Sequence, residues 1–80
     1  MHQTRHFPLR DGSLAATAAQ QAVVNIFEQE GLWPVRVLIA STTQTELNGS
    51  LPIRLGDNCC EIPLERSEQL PLDVFALCLQ

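Results

Sequence analysis

The stretch "GDNCCEIPLE", Gly56 to Glu65, places two of the three cysteines side by side. Thiols are strong nucleophiles and soft metal ligands, so their spacing is the first test for chemistry. Neighbouring residues of a strand point to opposite faces. Cys59 and Cys60 therefore cannot share one metal without a break in the strand. Zinc sites use cysteines spaced by roughly two to four residues, with a second pair elsewhere. Here the third cysteine is the distant Cys78. A thiol nucleophile at Cys59 would need a base beside it, and both histidines lie near the other end of the sequence. Cys59 and Cys60 read as strand residues, with Cys60 and Cys78 as core fillers on adjacent strands.

The other polar groups do not converge. His2 and His6 would share a helix face, but no helix start precedes them and Pro8 follows closely. Extended, they lie ~13 Å apart at about 3.3 Å per residue. Glu61 and Glu65 are separated similarly, too far for the carboxylate pairs of glycosidases. With Pro63 between them they read as charges that protect an edge. Glu28 and Glu30 stand at a helix C-terminus, where the dipole opposes them, and read as solvated. Ser41, Thr42, Thr43 and Thr45 follow a strand, but a phosphate would need glycine-rich backbone or cations beside them. They read as a strand end or a bulge. We assign no catalytic residue, no metal ligand and no cofactor, and read the chain as non-enzymatic.

The elements that carry these residues are legible in part. "SLAATAAQQAVVNIFEQEG" has strong helix formers throughout. Ser13 is a suitable N-cap, and Gly31 a suitable left-handed stop, with Leu32 folding back onto Phe27. The helix is expected over about 14–30. Ala15, Ala19, Ala22, Val23, Ile26 and Phe27 lie on its inner face, and Val24 points outward. Before it, Phe7, Pro8 and Leu9 suggest a short edge strand that ends in a turn at Asp11-Gly12. After it the period becomes two. "PVRVLIAS" is apolar on both faces, as in a central strand covered on both sides. Asn48-Gly49 predicts a hairpin. "SLPIRL" and "CCEIPLE" alternate, with Cys60, Ile62 and Leu64 inward. "LDVFALCLQ" is again apolar on both faces.

These elements predict a single small α+β domain over 1–80, with one long helix packed on an antiparallel sheet of four to five strands. The order is β-α-β-β-β-β in two layers, and short turns favour a meander. The plan is similar to that of the cystatin-like fold, without that family's glutamine-valine-glycine hairpin motif; the first hairpin here reads "TELNGS". Its Trp-Pro follows the helix. The likeness is one of architecture, which implies no function.

Composition narrows the function classes. Hydrophobic residues are 45% and charged residues only 18%, below the usual quarter or so. Mean hydropathy is +0.03. A small globule has much surface to cover, so some apolar surface should stay exposed, which marks a partner or oligomer contact. Five arginines, no lysine and a net charge of −4 do not form the cationic stripe that nucleic acid requires. No segment has the length of a bilayer span or the pattern of a signal peptide. An odd cysteine count fits a reducing, cytoplasmic setting.

The expectation is therefore a non-catalytic protein–protein interaction module. It would be a homodimeric small regulatory, accessory or inhibitory protein that binds itself and an unidentified protein. Trp33, Val24 and Phe75 are the candidate interface residues, because aromatic side chains anchor interfaces. The alternative is a small-molecule binder with an apolar pocket between helix and sheet, since an alanine-lined helix leaves room there.

Overall fold

The computed structural model describes residues 3–79. The chain runs β1 (Gln3–Pro8), β2 (Ser13–Leu14), α1 (Ala16–Glu30), β3 (Pro34–Ala40), β4 (Gln44–Thr45), β5 (Ser50–Leu55), β6 (Asn58–Ser67) and β7 (Val74–Leu79). Five strands form one sheet in the order β1-β7-β3-β6-β5, and β2 and β4 form a separate two-stranded parallel pair. The helix lies on one face of the larger sheet. This is the expected two-layer α+β domain, and its thin axis measures 19 Å.

The sheet is mixed, not purely antiparallel. β3 runs parallel to β6, in register from Val37↔Leu64 to Ala40↔Ser67. The expected meander does not form, and with it goes the likeness to the cystatin-like plan. β7 returns to the middle of the sheet, antiparallel to both β1 and β3. Proline sets one boundary. Leu64 donates its N–H to Gly49 O on the β5 side, so the neighbouring Pro63 directs its missing donor toward β3. The β3–β6 ladder begins only after it.

The helix begins later than expected. Ser13 and Leu14 belong to β2, and Leu14 is buried in the core. The N-cap is Ala15, which offers no capping side chain. Glu46 accepts the Ala16 N–H at 3.3 Å in its place, an anion at the positive end of the dipole. The helix ends as expected: Gly31 takes φ 71°, and its N–H donates to Phe27 O at 3.0 Å. Phe27 itself is 42% exposed, not on the inner face. Its ring meets Trp33 edge-on, with centroids 5.5 Å apart.

The core lies between helix and sheet. Ala19, Val23 and Ile26 descend from the helix. Val37 and Ile39, Leu51 and Ile53, Ile62, and Phe75, Leu77 and Leu79 rise from the strands. The opposite face of the central strands carries Leu38, Val74, Ala76 and Cys78, by register. Among the described residues no helix lies on that face, where Ala40 and Ala76 are nevertheless buried. A register shift between Pro34 and Arg36 turns Val35 outward.

One turn departs from its expected role. Asn48-Gly49 does not join two paired strands, because β4 pairs with β2. The hairpin that forms is β5–β6 around Gly56-Asp57, with Leu55 opposite Asn58.

Candidate functional site: the groove between the helix and edge strand β1

On a strand, Arg5 and Phe7 share a face. That face of β1 looks toward the helix, since Arg5 is in register with Leu77 and Phe7 with Phe75. Phe7 and Phe75 stack, with centroids 5.2 Å apart and planes 22° from parallel. The helix wall opposite is built from small residues, Ala18 and Ala22, where a longer side chain would fill the space. A groove of about 530 Å³ results, with Ile26 and the phenylalanine pair as its apolar surfaces.

The rim of the groove is polar and nearly uncharged. Gln21, Asn25 and Gln29 line it from the helix, and Gln21 donates its side-chain amide to Asn25 at 2.9 Å. One end is closed by an ion pair. Arg5 grips both carboxylate oxygens of Glu30, although their side chains are 38% and 35% exposed. The hydrogen bond from Arg5 lowers the Glu30 pKa, and the same bond raises that of Arg5. Glu30 was expected to be solvated; it ties the helix end to β1.

A smaller groove of about 310 Å³ flanks the helix on its other side, against Ile53 and Arg54 of β5. There Gln20 donates to Pro52 O at 2.8 Å, so the helix is fastened to the outer strand on that flank.

The structure separates the three residues proposed for an interface. Trp33 is half-buried against Phe27. Val24 is half-buried and lines the smaller groove. Phe75 is 3% exposed and forms the floor of the larger groove.

The thiols are free and apart. Cys59 and Cys60 occupy successive positions of β6 as expected, but Cys60 is exposed. β6 has no β3 neighbour at that point, so nothing flanks the thiol on that side. Cys78 is half-buried on β7. β7 and β6 are separated by β3, so Cys60 and Cys78 are not adjacent. His6 lies on β1, across two strands from Cys59. His2 lies outside the described residues, so the His2–His6 pair is not described. Among the described residues, no three His, Cys, Asp or Glu side chains gather into a group that could hold a metal. Nor is any described helix long and apolar enough to cross a membrane.

Ser41 and Thr42 form the turn that ends β3, and Thr45 lies in β4, so the cluster is the expected strand end and not a bulge. Thr43 is 2% exposed, and its Oγ1 has no partner among the described residues. Arg66 crosses from the end of β6 to the carbonyls of Ala40, Ser41 and Thr43, at 3.4, 3.1 and 2.8 Å.

Comparison with known protein families, characterised proteins and solved structures finds no match to this chain. Any functional reading rests on the geometry above.

Proposed function

We propose that this chain is a non-catalytic protein–protein interaction module. It is homodimeric in its working form and acts in the cytoplasm as a small regulatory, accessory or inhibitory protein on another protein. One observation supports this above all. The larger groove runs beside β1, an outermost strand of the sheet, and is open to solvent along that edge. A polypeptide can bond its backbone to such an edge while its side chains enter the groove. A small molecule can use only the groove.

The second reading, a small-molecule site, is favoured by the size of the groove. At about 530 Å³ it falls within the range of about 300–1,000 Å³ usual for ligand pockets. Native mass spectrometry in reducing buffer separates the two. A dimer mass without adduct supports the interaction module. A monomer carrying a small extra mass sinks it in favour of the ligand site.

A further inference from the structure

We infer that the β1 edge is occupied by the β1 edge of a second copy of this chain, in antiparallel register about His6, which joins two sheets into one. This rests on the reading of the chain as a self-associating module, and names the surface.

The phase of the β1 hydrogen bonds carries the argument. Leu9 donates its N–H to Asp73 O at 2.7 Å, on the same diagonal that pairs Phe7 with Phe75 and Arg5 with Leu77. Donors alternate in an antiparallel ladder. So Gln3, Arg5 and Phe7 direct their N–H groups to β7, and Thr4 and His6 direct theirs away from it. The carbonyls of Thr4, His6 and Pro8 point away likewise.

The other edge of the sheet is closed to such pairing. On β5, the Leu64-to-Gly49 bond fixes the phase, so Leu51, Ile53 and Leu55 direct their backbone groups to β6. Pro52 therefore stands at an outward position, in the middle of the strand, with no donor to give. Its carbonyl is already taken by Gln20. These are the devices that protect an edge. β1 has its proline only at the end, and its single formal charge, Arg5, is neutralised by Glu30.

Self-pairing of β1 has two registers that use both outward donors, Thr4 and His6, against residues of β1 itself. Centred on Arg5, it would set two guanidinium groups directly opposite each other, which is unfavourable. Centred on His6, it forms four backbone bonds. The two His6 residues exchange a pair, and each Thr4 donates to the Pro8 carbonyl of the other copy. The position without a donor then serves as an acceptor. On the helix side, Arg5 of each copy faces Phe7 of the other, a cation against an aromatic ring. The two-fold axis puts both helices on one face, so the two grooves meet in a cleft that each copy alone leaves open.

Residue-resolved amide exchange of the full chain tests this, at high and low protein concentration, alongside the solution mass. The expected result is a dimer in which the Thr4 and His6 amides are protected along with Arg5 and Phe7. Dilution should then speed exchange at Thr4 and His6 by at least about tenfold. A dimer whose Thr4 and His6 amides exchange freely overturns the edge pairing and leaves self-association standing. A monomer at every concentration overturns both. His6→Pro removes only a donor that points away from β7; it should yield a folded monomer, whereas Arg54→Pro on the other edge should stay dimeric. If His6→Pro does not fold, the exchange data on the unaltered chain still decide.

Discussion

Phe7 and Phe75 stack across the outermost strand pair with ring centroids 5.2 Å apart, and this contact secures β1 to the sheet. β1 pairs with no other described strand, so its side-chain anchors are few. Phe7→Ala should cost about 2 kcal/mol, less than a fully buried phenylalanine because Phe7 is only half-buried. Phe7→Leu should cost clearly less. Urea unfolding of the two variants checks this, and equal losses would show that the stacking contributes nothing beyond apolar cover.

The Arg66 guanidinium serves three carbonyls of one turn. All three bonds come from one terminal nitrogen, Nη1, whose two hydrogens are shared among the three carbonyls. Arg66→Ala should destabilise by about 1–2 kcal/mol, and Arg66→Lys should recover only part of that. Full recovery by lysine would mean that any single cationic nitrogen at that place holds the turn.

Thr43 presents the reverse case. Its buried hydroxyl has no described partner, and burying such a group is unfavourable. Thr43→Val keeps the shape and removes the group, so it should raise stability by up to about 1 kcal/mol. A loss in thermal unfolding would show that the hydroxyl is satisfied in solution.

The ion pair of Arg5 and Glu30 gives a pH signature. Glu30 is held below its ordinary value of 4.5 by the hydrogen bond from Arg5. Its contribution is thus complete above 4.5 and is lost as pH falls through the lowered value. Arg5 is shifted upward, so its own charge is constant across that range. The melting temperature of Glu30→Gln should lie below that of the unaltered chain at pH 7, and the gap should narrow as pH falls below 4.5. A gap that persists in acid would assign the effect to packing.

The thiols should divide by exposure. Cys59 and Cys60 are exposed and Cys78 is half-buried. A thiol reagent applied to the folded protein should modify two residues quickly and the third slowly. Three equal rates would mean that β7 opens on the timescale of labelling.

Alternation and capping residues carried the parts of the fold that the sequence made legible. Gly31 marked the helix end because only a left-handed cap fits there. Leu51, Ile53, Ile62 and Leu64 declared their faces because a strand repeats every two residues. Periodicity assigns faces but not neighbours. It could not show that β7 inserts between β1 and β3, nor that β3 and β6 run parallel. Ser13 misled because a good cap residue also suits a short strand, and Glu46 supplied the cap from a distant loop. Phe27 fell outside the core because Gly31 turns the chain there and Trp33 takes the ring. The groove was half legible: the alanines foretold the space, but no local signal links Arg5 to Glu30.

The central position of β7 also governs how the chain matures on the ribosome. β1 is synthesised before β7, its sheet partner, with every other described strand and the helix between them. At synthesis rates of about 5–20 residues per second, several seconds pass during which the nascent β1 has no native strand to join.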